Sequence, residues 1–430
     1  MKKLFACLAL TASLLSYTSG KLENGLQYHL KQSTDLQGRG SIWLVLNIGM
    51  LQETNQQKGV AHLTEHVAWS GIEKPPIERF IMIADLLGIS DAPERANSTT
   101  EMDATFFRLD NIALNDPRAL DTALFCLKEI VSAATFSPEF IEQEWPDVLQ
   151  DLLDEVGSFS YRKLECQLEA LFQQPIILCP DESFQNTQNA SAPELKAFYQ
   201  THYRPDKMAL IAVGDFDEKL LESKINHLFT TLTNPSHPAP IPSSPLLNPI
   251  FPTRALFLQL DTPAVPKLSL MYPLPRTLDL EVQYTLRPLI EARLQPLIDA
   301  GHILSITYGR TALSPTYQIL EVGISLLNEA SLPDIQQSVI ERLSHLDALT
   351  QEEWLRIQSK EPDNDIDAQC YADLFLGRLL SRPLHTSFPS QTTLLRCNTL
   401  LQDSPTLVTF IHQPIPSFNP LDHQPLRPLR

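Results

Sequence analysis

The sequence predicts an α+β fold cut into two domains of near-equal size. Three observations carry that reading. Strand-like alternation and helix-like periodicity recur together in both halves of the chain. Prolines at 235, 238, 240, 242, 245, 249 and 252, with serine and asparagine among them, interrupt the pattern once, as a semi-rigid extended linker does. Finally, 430 residues with 43% hydrophobic and 20% charged side chains give room for two or three cored domains and argue against wholesale disorder.

In chain order, Met1-Lys2-Lys3, an apolar run from Leu4 to about Leu15 and the small polar stretch Ser16 to Gly20 have the charge, length and exit of a secretory signal peptide. Residues 1–20 are therefore read as a leader, too short in its apolar part to span a bilayer. Residues 22–30 and 40–52 alternate as strands, with Ile42 to Ile48 the clearest. Helices are expected over 59–70 and 75–88, a strand over 104–109, and a long helix over 117–134. Ser137-Pro138 opens another helix, with serine as cap and proline in the first turn. Residues 193–203 read as helix, 208–213 as a buried strand ended by Gly214-Asp215, and 217–229 as helix. The first domain is thus 21–230 and the linker 231–253.

The second domain, 254–410, restarts the pattern. It has a strand at 255–260, a helix at 281–299, strands near 303–310 and 317–325, a helix at 332–346 and another from Gln351. A proline-rich tail, 411–430, closes the chain. The 34 prolines against 14 glycines lead one to expect interrupted helices.

Acidic residues outnumber basic ones by 51 to 33, a formal charge of −18 that repels phosphate backbones and argues against a nucleic-acid binder. Past the leader, Cys126, Cys166, Cys179, Cys370 and Cys397 show no CxxC spacing, so neither a disulfide framework nor a cysteine zinc site is implied; a Cys166–Cys179 bridge stays open. No phosphate loop, nucleophile elbow or dinucleotide fingerprint is present. His29, His202 and His302 lack partners at ligand spacing and read as packing or surface residues.

The chemistry lies in His62-Leu63-Thr64-Glu65-His66. Histidines at i and i+4 share one helix face, so two imidazoles can converge on one ion at about 2.0–2.1 Å. Glu65, one residue before the second, can reach a water at that ion and take its proton. The spacing H-x-x-E-H is the reverse of H-E-x-x-H. Without further context, the same residues are two solvated histidines on a polar face.

Residues 59–71, from Gly59-Val60-Ala61 to Ser70-Gly71, resemble the zinc-site segment of the insulinase/pitrilysin family of metallopeptidases. Leu22 to Tyr28 resembles the family's opening strand, and Asn97 to Phe107 its asparagine-containing strand. Tyr203-Arg204-Pro205-Asp206 and Val213-Gly214-Asp215 resemble the close of its first domain. The likeness is dense over 21–230 and looser over 254–360. Exported bacterial pitrilysin-like proteases and the mitochondrial processing peptidase group are the nearest members.

The resemblance implies two structurally similar domains, each a mainly antiparallel sheet with helices packed on one face. It further implies a zinc endopeptidase acting on peptides or unfolded segments, with His62 and His66 as ligands of Zn²⁺ and Glu65 as general base. The family's third ligand is a glutamate seven residues after another important glutamate. That register places Glu144 at the earlier site and Asp151 at the ligand site. Asp151 is a departure, one methylene shorter, and Pro146 stands between the two; Glu155, one turn on, is the alternative ligand. Such acids also occur as a plain solvated stripe. Asn97 and Thr105 are expected to bind substrate along an edge strand. A homodimer, or a heterodimer with a metal-less homologue, is expected, without a transmembrane anchor, in a bacterial periplasm. The alternative is a non-catalytic homologue that binds peptides or acts as a scaffold.

Overall fold

The computed structural model describes residues 17–70, 76–158, 161, 163–165, 167–168, 189–235, 254–258, 267–276, 278, 280–312, 317–326, 332–358, 368–378, 388–402 and 407–411. Most of the expected leader, linker and tail, together with Cys166 and Cys179, lie outside these. The fold is α+β, with two domains built on one sheet topology.

The first sheet contains β1 (Thr18–Lys21), β2 (Gln27–Gln32), β3 (Gly40–Leu46), β4 (Ala96–Thr100), β5 (Thr105–Ile112) and β6 (Met208–Gly214), in the order β1-β2-β6-β3-β5-β4. The second contains β7 (Arg254–Leu258), β8 (Lys267–Pro275), β9 (Ile303–Ala312), β10 (Tyr317–Leu326) and β11 (Leu407–Ile411), in the order β7-β11-β8-β10-β9. Apart from β1, the orders correspond strand for strand. Each sheet has one parallel pair, β2 with β6 and β7 with β11, and is otherwise antiparallel. Residues 18–20, at the exit of the expected leader, are drawn into the sheet as β1.

The helices of the first domain are α1 (Val60–Ser70), α2 (Pro76–Leu87), α3 (Pro117–Ser132), α4 (Pro138–Gly157), α5 (Ala192–His202) and α6 (Glu218–Phe229). α3 begins as its sequence dictates: the Asp116 side chain accepts from Arg118 N and Pro117 fills the first turn. Its stripe Leu120, Leu124, Leu127 and Val131 joins Leu44, Leu210, Leu63 and Val67 in one core. Each leucine so buried is worth roughly 1.5–3 kcal/mol.

All seven residues of β6 are buried, because both faces of this strand are covered. The helices cover one face. On the other, Val45, Phe106, Ala209 and Ile211 pack against Ala368, Tyr371 and Ala372 of a helix from far along the chain (Ala368–Leu376, labelled α10 below). Gly40 and Gly214 meet across β3 and β6, where a Cβ on Gly40 would stand 2.5 Å from Val213 O, so no larger residue fits.

The second domain's helices are α7 (Leu280–Asp299), α8 (Leu332–Leu343), α9 (Gln351–Gln358) and α11 (Gln391–Leu401); α10, between them in sequence, packs on the first sheet. α7 is the centre of its core, packed on α8, α9 and α11. Among the described residues, those up to 153, from 189 to 235 and from 368 to 376 form one compact unit, and the rest form the other. Each unit therefore includes a segment from the other's half of the sequence. In the second unit, Lys163 donates to Glu321 at 2.6 Å.

Helices run through Pro146, Pro288 and Pro296 rather than ending at them. A proline removes one hydrogen bond, and a buried apolar stripe outweighs that loss.

Candidate metal centre

α1 has two working faces. Val60, Leu63 and Val67 point into the core, which fixes the helix's rotation. His62, Glu65 and His66 then stand together on the adjacent face. α4 is oriented likewise by Ile141, Val148 and Leu152, which brings Glu144 and Asp151, two turns apart, toward the same histidines.

The donor atoms form a compact triangle. His62 Nε2 and His66 Nε2 are 3.2 Å apart; Asp151 Oδ2 lies 3.5 Å from His66 Nε2 and 4.0 Å from His62 Nε2. Ligands at zinc distances in a tetrahedron are separated by about 3.3 Å, so the residues fit such an ion. This is the one histidine–carboxylate cluster among the described residues. Glu144 Oε2 is 3.7 Å from His66 Nδ1, the place of an outer carboxylate that fixes a ligand ring. The side chain of Glu155 lies outside the described residues.

Burial and charge tune these groups. His62 is pushed down to about 3 by burial and then by its neighbour His66. That keeps its imidazole neutral, as a metal ligand must be. For His66, burial acts downward, but the nearby carboxylate of Glu144 and the charges of Glu65 and Asp151 prevail and raise it. Glu65, only 2% exposed, is raised by burial against the opposing charge of His66 and the hydroxyls of Ser98 and Thr100. Thr100 Oγ1 donates to Glu65 Oε2 at 3.0 Å.

Asn97 lies on β4, the edge of the sheet, with its amide donating to Glu94 O at 3.0 Å. Thr105 does not lie at the edge. It sits on β5, one strand inside, buried and donating to Ile48 O at 2.9 Å. The turn from 101 to 104 reverses the chain between them, so the two residues belong to different strands. The residues that β4 does aim at the centre are Ser98 and Thr100, two apart and hence on one face. That alternation was available in the sequence and signals their shared direction.

Two sheets of one topology, with a paired-histidine helix in the first, define the architectural class. The comparisons agree in both domains: a model of the insulinase family (peptidase family M16) matches residues 30–170, and one of the peptidase M16 inactive domain matches residues 189–361. The chain belongs to the insulinase/pitrilysin family. It is similar to the probable zinc protease PqqL of Haemophilus influenzae, with 32% identity over 207 residues, 46% of this chain and 22% of that protein. To the probable zinc protease PqqL of Escherichia coli K12 it is 24% identical over 406 residues, 88% of this chain and 42% of that one. The chain thus spans less than half the length of these curated relatives.

Among solved structures, the first half of the periplasmic protease PqqL from Escherichia coli matches with a TM-score of 0.69 at 20% identity, over 92% of each chain. Pitrilysin matches with a TM-score of 0.67 at 15% identity, over 93% of this chain and 45% of that one. Both share the fold.

Proposed function

We propose that this chain is a zinc-dependent endopeptidase, or the catalytic half of one, that cleaves peptides or unfolded polypeptide segments. The triangle of His62, His66 and Asp151 donor atoms, with buried Glu65 beside it, carries this reading. These three residues would hold Zn²⁺. Zinc bound there supplies Lewis acidity toward a peptide carbonyl and toward water.

Glu65 takes the proton from the attacking water and returns it to the leaving amine. Burial raises its carboxyl, the direction that favours taking up a proton. Thr100 and Ser98 hold that carboxylate in place, and Glu144 orients His66. The outer edge of β4, where Asn97 stands, offers backbone groups to an extended substrate, a mode that tolerates many sequences.

The Escherichia coli relative is a periplasmic protease. Together with the leader-like residues 1–20, this supports a periplasmic location. No helix among the described residues is long and apolar enough to cross a membrane. Because the chain spans less than half of the two PqqL relatives, a second homologous half would complete the site, as a homodimer or as a heterodimer with a metal-less homologue.

One observation favours a second reading, a peptide-binding or scaffold homologue without catalysis. Asp151 is 59% exposed and lies 4.0 Å from His62 Nε2, the longest side of the triangle. Metal content and turnover separate the two. The protease reading expects about one zinc per chain, and a Glu65→Gln variant that keeps the metal but loses quenched-peptide cleavage by on the order of a hundredfold or more. Less than about a tenth of an equivalent of zinc after loading favours the scaffold.

A further inference from the structure

We propose that Glu53 is a positioning residue for the metal helix. Its buried carboxylate supplies the cap that Gly59 cannot, and so fixes where His62, Glu65 and His66 stand against edge strand β4. The assignment rests on reading His62, His66 and Asp151 as a zinc site.

α1 starts without a capping side chain of its own. Gly59, at φ +89°, occupies the cap position, and its carbonyl accepts the helix's first bond from Leu63 N at 3.1 Å. Glu53 Oε1 approaches from the preceding loop and accepts from Gly59 N at 3.1 Å and from Ala61 N at 2.8 Å. A carboxylate there also meets the positive end of the helix dipole. Ala61 is the neighbour of His62, so the bond holds the turn that carries the first histidine.

The loop is itself tied down at its other side. Gln52 Oε1 accepts from Gly49 N at 2.6 Å, and Met50 N and Leu51 N donate to Glu101 O and Met102 O at 3.1 and 2.7 Å. Residues 101–104 form the turn between β4 and β5. One continuous path of hydrogen bonds therefore runs from the helix start, through Glu53, to the strand whose Ser98 and Thr100 hold Glu65. Burying a carboxylate is costly, and here it draws no salt bridge among the described residues. The helix start and that turn are what it connects.

The test uses Co²⁺ as a spectroscopic probe in the metal-free chain, with hydrogen exchange of residues 60–70 alongside. Glu53→Ala is expected to weaken cobalt affinity about tenfold, to change the visible bands, and to speed exchange across 60–70 while α3 stays protected. Glu53→Gln keeps an oxygen acceptor and should restore affinity and bands. Wild-type affinity, bands and exchange in Glu53→Ala would overturn the proposal. If that variant fails to fold, Glu53→Asp, one methylene short of the bonds, takes its place with the same two outcomes. Failure of both to fold also overturns it, because the carboxylate would then be holding the whole domain. A parent chain that takes up no cobalt removes the zinc reading only, and exchange across 60–70 then decides Glu53 alone.

Discussion

α1 and α7 occupy the same place in the connectivity of their domains, each following the third strand of the shared order and preceding the edge strand. They use that place differently. α7 turns Val282, Leu286, Leu289, Ile290 and Leu294 into its core, and its ion pairs, Arg293 to Glu353 at 3.0 Å and Asp299 to Arg356 at 3.4 Å, bind it to α9. α1 buries Val60, Leu63 and Val67 but gives its second face to two histidines and a buried acid. A helix of 11 residues can satisfy both demands only if its ends are held from outside, whereas the 20 residues of α7 bury a longer apolar stripe and are held chiefly by packing.

The largest effect that would sharpen this contrast is in α7. Leu289→Ala should cost about 2–5 kcal/mol in denaturant unfolding of the second domain and leave metal binding untouched. A loss of metal affinity in that variant would break the division of labour between the helices.

Next come two groups in the first domain that burial shifts in opposite directions. Glu53 is pushed up by burial to about 7 from 4.5. The unfolded chain releases this proton first, so the stability tied to it is whole below pH 4.5 and is lost as pH rises through 7. His29 is pushed down by burial to about 4 from 6.5. Its contribution is whole above pH 6.5 and is lost as pH falls through 4. Each difference corresponds to about 3 kcal/mol, so the two slopes nearly cancel between pH 4.5 and 6.5. Glu53→Gln should unmask the His29 slope, with stability climbing from pH 4 to 6.5 and then staying level. His29→Phe should unmask the other, with stability falling from pH 4.5 to 7. Parallel pH profiles for both variants and the parent would refute the assignment.

The smallest expected effect is at the third ligand. Asp151→Glu adds a methylene toward the 4.0 Å gap at His62 and should raise zinc affinity by about a few-fold, read by chelator competition. Weaker binding would mean that α4 already stands at the distance an aspartate needs.

Much of the fold was legible because it is written in local periods. Residues 59–70, 117–134 and 208–213 read as helix, helix and buried strand, and the elements stand at 60–70, 117–132 and 208–214. β8 was missed because Pro273 and Pro275 mask its alternation. α10 was missed because it is nine residues long and apolar on most sides, a pattern without a visible period. β4 gave no apolar signal, since Asn97 to Thr100 is polar throughout and its partner is a single neighbour at the sheet edge. At the centre, the paired histidines and Glu65 were evident from their spacing. Glu53 was not, because the group it caps is a glycine and no sequence pattern marks an acid that caps from six residues away.

By itself the sequence determined what a helix repeat or a strand alternation can express: two α+β domains, and an imidazole pair beside a carboxylate on one turn. Those depend on residues within a few positions of one another, where backbone geometry leaves little choice. Tertiary structure alone decided that Asp151 and Glu144 reach His66, that Thr105 stands one strand inside the sheet edge, and that residues 368–376 cover the back of the first sheet. Each of those depends on the rotation of one packed element against another, which is set by the whole buried surface and not by any short stretch of chain.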